Sequence, residues 1–337
     1  MKSDSALKPY SINSSGADMT LELLANKLDN GDIEIPDFQR SHVWNVQKAS
    51  KLIESFLLGL PVPQIFLYLE PETKKLLVVD GQQRLRGIHA FIKGVYKGRE
   101  FRLSGISSEW DGMTYEELSD SDRRRFRNAT LRSTIFEQVD PQDNTSIFEV
   151  FERLNTGGMR LTAQEVRNAV IGGDLNQLTK ELCDHPTWVE LTSAKTLNDR
   201  YKTVELVLRL ISLDDSFETY KRPMNVFLSN YLEEHRHLGK EEAEAIKSHF
   251  IKTIQLIYDK IGPNALRLNK TVSASLSDAV YVGVSRNVGN ISPKLATQWR
   301  ALINDEIFID AISRHTTDYD KITARISLAI SLFKNDQ

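Results

Sequence analysis

Cysteine is almost missing from this chain: Cys183 is the only one in 337 residues. That excludes an internal disulfide and any zinc site built from several thiolates, and leaves Cys183 to act as a small buried hydrophobe. Long apolar runs are missing too. Leu52 to Leu60 breaks at Glu54 and Gly59, well short of the roughly 20 residues a helix needs to cross a bilayer. Met1 to Asp18 is polar and has no apolar core of the signal-peptide kind. A cytoplasmic protein with no membrane segment is the expectation. Charge of one sign is not in excess either: the net charge is −3 and the pI about 6.2. The whole molecule therefore has no pull on nucleic acid, and any DNA contact must come from a local basic patch. Among motifs, Gly-x-x-x-x-Gly-Lys-Ser/Thr, His-Glu-x-x-His and Gly-x-Ser-x-Gly are all absent, which removes P-loop NTPases, zincin proteases and serine hydrolases at the level of motif. His235 and His237 are two apart, a spacing that puts them on different sides of a helix and makes no metal site.

What is present is ordinary globular composition, 40% hydrophobic and 26% charged, in a chain long enough for two cores. Residues 1–18 read as a flexible N-terminal arm. From Ile33 the pattern alternates strand and helix. A turn, Pro36 to Arg40, precedes a helix from Val46 to Leu58 with Ala49, Leu52, Ile53, Phe56 and Leu57 on one stripe. Two strands follow, Ile65 to Leu69 and Lys75 to Val79, joined by Pro71 to Lys74, and then a helix from Leu85 to Lys93. A hairpin over Gly94 to Gly105, an arginine-rich helix, a strand over Leu131 to Val139 and a helix over Asn144 to Leu154 complete this part. Residues 19–172 are thus expected to form a mixed α+β domain. Residues 173–337 are expected to be an all-helical domain, because strand signals nearly vanish there and amphipathic stretches succeed one another: 175–183, 201–213, 226–235, 241–261, 275–284 and 322–333.

The chemistry concentrates at Asp80-Gly81-Gln82-Gln83-Arg84, between the apolar run Leu76 to Val79 and the next helix. Backbone amides at a helix start favour phosphate, and an arginine in the first turn adds a planar cationic fork. Gln82 and Gln83 supply amide donors, and Asp80 has the chemistry to bind Mg²⁺ or orient a water. The same five residues also fit an ordinary turn, with Asp80 as N-cap and Gly81 easing the bend. Asn155-Thr156-Gly157-Gly158, followed by the capping box Thr162 to Glu165, reads either as a ligand-contacting loop or as a structural turn. Arg40, beside Phe38 and Trp44, calls for a partner or a ligand. Arg200 leads into an apolar helix and is placed to reach toward a nucleotide, whereas Glu205 is explained by a favourable position near a helix start. Arg123, Arg124, Arg125 and Arg127, with Arg132, form the one basic patch. It has two readings, a solvated helix face paired with acids or a DNA-phosphate contact.

Taken in order, Ile35 to Arg40 with Val43-Trp44, Gly59 to Pro63, Val79 to Arg84, Phe151 to Gly158, Glu165 to Asn168 and Asp199 to Glu205 make a set that resembles the ParB/sulfiredoxin-like N-terminal domain family of GmrSD-type restriction systems. The resemblance implies a ParB-like fold that binds and hydrolyses a nucleoside triphosphate with Mg²⁺, coupled to defence against modified or foreign DNA. GTP, ATP and CTP stand as equal alternatives. By the same resemblance Gln82, Gln83 and Arg84 hold phosphates, Asp80 assists Mg²⁺ or water, Gln39 and Arg40 close the pocket, and Arg167 belongs to the nucleotide site. Many relatives carry a C-terminal His-Asn-His nuclease domain whose signatures this sequence does not contain, so a separate nuclease subunit is an expected partner. DNA and a second copy of the chain are further candidates. Two competing readings are a non-hydrolysing ParB-like DNA-binding module and a stand-alone nuclease.

Overall fold

The computed structural model describes residues 12–36, 44–71, 73–139, 150, 153–154, 164, 167, 171–193 and 197–335, the side chains of 197–201 excepted. The chain divides into two compact units, Met1–Leu161 and Thr162–Gln337.

The first unit is built on a five-stranded sheet of order β1-β7-β3-β4-β2: β1 (Ile12–Thr20), β2 (Ile33–Glu34), β3 (Ile65–Leu69), β4 (Leu76–Asp80) and β7 (Thr130–Gln138). The pairings β1–β7 and β3–β4 are antiparallel, whereas β2–β4 and β3–β7 are parallel. Among the described residues the sheet is accompanied by α1 (Leu21–Asp29), α2 (Val46–Leu57), α3 (Gln82–Lys93) and α4 (Asp120–Asn128). The hairpin between α3 and α4 consists of β5 (Val95–Tyr96) and β6 (Arg99–Glu100). Three of the four begin at a side-chain cap. Thr20, Asn45 and Ser119 accept from the amides of Leu23, Lys48 and Asp122 at the starts of α1, α2 and α4. The core gathers Ile53 and Phe56 from α2, Leu85, Ile88 and Phe91 from α3, Phe126 from α4 and Ile65, Leu67 and Val78 from the strands. Phe91 sits at its centre, edge-on to Phe101, Tyr115 and Phe126.

One expectation fails here. Residues 12–18, read as part of a loose arm, form most of β1, paired with β7 through a continuous register from Ile12↔Gln138 to Thr20↔Thr130. Side-chain polarity misled, because this strand is held by its backbone ladder while most of its side chains face solvent. Residues 1–11 lie outside the described residues, as does the expected 144–154 helix save Val150, Arg153 and Leu154, which are helical.

The second unit is helical as expected: α5 (Asp174–Cys183), α6 (Pro186–Thr192), α7 (Leu197–Ser216), α8 (Met224–Glu234), α9 (Lys240–Lys260), α10 (Ala274–Ser285), α11 (Leu295–Ile303), α12 (Glu306–Ser313) and α13 (Tyr319–Phe333). A small hairpin, β8 (Arg267–Leu268) with β9 (Thr271–Val272), interrupts the helices. At the centre lies α10, buried from Ser275 to Ser285. Gly283 lets α13 approach it, since a Cβ there would stand 2.9 Å from both Ala329 and Phe333. Inside this unit Asp278 accepts from Arg209 Nε and Nη2, both at 2.8 Å, and from Arg325, with Asp278 and Arg325 fully buried. Cys183 is buried, as its isolation implied. Among the described residues no helix is long and apolar enough to cross a membrane.

Candidate functional site

The carboxyl end of β4 runs into α3 through one residue, Gly81, at φ 99° and ψ 10°. Only glycine suits this turn. Its backbone lies in the left-handed region, and an added Cβ would stand 2.2 Å from Ile65 Cγ2 in the neighbouring strand. Opposite, the β3–β4 register shifts between Phe66 and Leu67, so that Phe66 pairs with Asp80 while Leu67 pairs with Val78. Such an irregularity bends the strand and re-aims its last side chain. The Leu85 amide donates to the Gly81 carbonyl at 3.0 Å, closing the first helical turn. Gly81 is the N-cap and has no side chain to cover the leading amides, so the reading of Asp80 as N-cap is corrected. The junction has the form of an anion-receiving helix start.

Arg84 lies one turn along α3. Its Nη2 donates to the Gln64 carbonyl at 3.0 Å and to Asp80 Oδ2 at 2.7 Å. The arginine side chain is 16% exposed and the aspartate 42%, so the pair spans the edge of the site with the carboxylate outermost. Two polar atoms are left over: among the described residues, Arg84 Nε and Gln82 Oε1 are buried without a hydrogen-bond partner. Each such group costs about 1–3 kcal/mol. Gln83 has a different task. Its Oε1 accepts from the Trp44 amide at 2.9 Å, while the Trp44 carbonyl accepts from Tyr96 Oη at 2.8 Å. Burial raises the Tyr96 pKa, with Arg86 opposing, and this keeps the hydroxyl a donor. Gln83 thus ties α3 to the end of the segment that carries Gln39 and Arg40, both of which lie outside the described residues.

At the junction Asp80 is the carboxylate presented to a divalent cation. Among the described residues no group of three or more His, Cys, Asp or Glu side chains converges. One exposed carboxylate fits Mg²⁺, an ion that keeps several waters and is commonly shared with substrate phosphates.

The other expected residues are distributed as follows. On α4, Arg123 pairs with Glu116 and Asp120, Arg125 with Asp122 at 3.5 Å, and Arg127 with Glu22 at 3.4 Å. Arg132 faces Asp18 at 3.5 Å. Arg124 is exposed and has no partner among the described residues. The acids that pair these arginines come from the helix itself, from the segment just before it and from α1 and β1, so the patch is largely neutralised. In the second unit Arg167 is 1% exposed and donates to Gln164 Oε1 at 2.9 Å, to the Asn225 carbonyl at 3.3 Å and to Glu205. Burial pulls its guanidinium pKa down and Glu205 pushes it back up. Glu205 is therefore not a capping acid: α7 begins at Leu197, and Glu205 sits well inside the helix as the partner of Arg167. Arg200 is in α7, its side chain outside the described set. Asn155, Thr156, Gly157 and Gly158 also lie outside the described residues.

Gln64, Ile65, Tyr96 and the Trp44 backbone are parts of the junction that pattern reading missed. They act through carbonyls, amides and shape, and only Gly81 in the motif hinted that a neighbour stood close.

Residues 21–172 match the family model described as GmrSD restriction endonuclease, N-terminal domain. No curated protein matches the chain.

Proposed function

We propose, starting from the GmrSD N-terminal domain carried by residues 21–172, that this chain is the nucleotide-responsive component of a DNA restriction system. Its site is the β4–Gly81–α3 junction. The observation that carries the reading is the arginine on the first turn of an uncapped helix, with Nε buried and lacking an acceptor among the described residues. An arriving phosphate oxygen gives that donor a partner and exploits the positive end of α3.

In this reading the leading amides of α3 and Arg84 bind the phosphates, and Asp80 turns from Arg84 toward Mg²⁺ or a water. Gln82 and Gln83 line and position the site, Gln83 by holding Trp44. Bound Mg²⁺ supplies charge neutralisation across the phosphate oxygens. Exposed Arg124 and Arg125 are the residues assigned to DNA contact, and cleavage is assigned to a separate nuclease subunit. The Asp80–Arg84 bond at 2.7 Å favours a second reading, in which the site binds nucleotide without hydrolysing it, because the carboxylate is already engaged.

The experiment is a titration of the full chain with GTP, ATP and CTP in Mg²⁺, alongside Arg84→Ala. Saturable binding to the native chain, weakened about ten- to hundredfold by the substitution, is expected from loss of one charge-assisted contact. Equal binding by both proteins overturns the reading. Phosphate release measured in the same samples separates hydrolysis from binding alone.

A further inference from the structure

We infer that the helical unit carries an anion site of its own, built for the phosphate end of a small phosphorylated ligand. This goes beyond the nucleotide reading and does not depend on it, because every residue involved belongs to the second unit. A cavity of about 450 Å³ opens between the start of α7, the end of α6 and the β8–β9 hairpin. Its charged lining is Lys202, Arg209, Arg267 and Lys270 against one acid, Glu205.

That acid is already claimed by buried Arg167. Arg209 shares Asp278 with Arg325, so among the described residues two carboxylates serve the three linked guanidiniums Arg167, Arg209 and Arg325. Positive charge is therefore in excess among the described residues before the rim is counted. On the rim, Arg267 has no carboxylate partner among the described residues. It is held by neutral acceptors: the Leu191 carbonyl at 3.1 Å, the Glu190 carbonyl at 3.2 Å and Ser193 Oγ at 2.6 Å. Those bonds fix the guanidinium without neutralising it, which is pre-organisation for an anion.

Lys202 and Lys270 are exposed and make no hydrogen bond or ion pair among the described residues. Lys270 is also conformationally unusual. The β8–β9 turn puts Asn269 at φ 49° and Lys270 at φ 69°, a two-residue turn in which glycine normally takes the second place. A lysine held there at steric cost presents its ammonium beside the cavity. Several cations with hydroxyls from Ser193 and Thr271 match a multiply charged tetrahedral oxyanion better than a single carboxylate. A bounded cavity of this size matches a small ligand rather than a duplex laid across a surface.

The test is calorimetric titration of the full chain with inorganic pyrophosphate, comparing the native protein, Arg84→Ala, and the double variant Lys202→Gln/Lys270→Gln. Both lysines are exposed and unpaired, so the double variant should fold normally, which a thermal melt checks. Two equivalents bound by the native chain, falling to one in the lysine variant, support the inference. One equivalent weakened at least tenfold in the lysine variant but kept in Arg84→Ala supports it too, and counts against the junction as a phosphate site. One equivalent lost in Arg84→Ala and kept in the lysine variant overturns it. So does the absence of pyrophosphate binding, including the case where the lysines affect only retention of duplex DNA.

Discussion

Gly81→Ala tests the junction most sharply, because the geometry sets the size of the effect. Alanine in the left-handed region costs roughly 1–2 kcal/mol by itself. The new methyl would stand 2.2 Å from Ile65 Cγ2 and 2.8 Å from Ile65 Cβ. Ile65 cannot retreat, being fully buried in β3 between two paired strands. Forcing a methyl into such a place adds about 1–3 kcal/mol. The sum, about 2–5 kcal/mol, is a large share of what an ordinary domain possesses. Urea unfolding followed by near-UV circular dichroism measures it through a shift in midpoint at unchanged slope. A loss below about 1 kcal/mol would refute the reasoning, since the strand–helix turn would then have room to relax. In folded protein the same substitution should displace the leading amides of α3 and weaken triphosphate binding in parallel.

Other consequences follow from buried charge and close contact. Removing Asp278 by alanine strands two buried guanidiniums, so chemical denaturation should show a loss of about 3–5 kcal/mol. Burial raises the Asp278 carboxyl pKa, but Arg209 and Arg325 outweigh it and hold the group below its ordinary 3.8. Its contribution is therefore complete above that pH and is lost as pH falls through the lowered value. An acid titration of stability should show this limb in the native chain and not in Asp278→Asn. Gly173→Ala should destabilise the helical unit by about 2–4 kcal/mol, because φ is 106° and the Cβ would lie 2.4 Å from the Arg236 carbonyl oxygen; thermal melts report it. Gln83→Ala releases the Trp44 amide and should cost about 1 kcal/mol while weakening nucleotide binding, measured in the same titration as Arg84→Ala.

The regular parts of the fold were legible where periodicity was strong. Val46 to Leu57, Ile65 to Leu69, Leu76 to Asp80 and Gln82 to Lys93 emerge nearly at their expected limits, since apolar stripes and glycine stops coincide there. β1 was illegible because Asn13, Ser14, Ser15 and Gly16 carry no burial signal; pairing with β7 overrode composition. Pro186–Thr192, Leu295–Ile303 and Glu306–Ser313 are too short to display a clear period. At the site, Asp80 to Arg84 stood out as a strand–glycine–helix junction from residue types alone. The Arg84–Gln64 bond, the Gln83–Trp44 bond and the Arg167–Glu205 pair did not. Each joins residues distant in sequence, and two of the three use a backbone group, for which a side-chain pattern carries no signature.

The position of β7 governs how the first unit is assembled during synthesis. It lies between β1, which the chain makes first, and β3, so the earliest strand is joined to the others only by the latest one. Until residue 138 has left the ribosome, β1 has no ladder partner, and the sheet that backs Gly81 is missing a central member. Loops this long must close before their pairings are rewarded, so the Gly81 turn geometry is a late product of folding, and a nascent chain stopped short of β7 should be unable to present it.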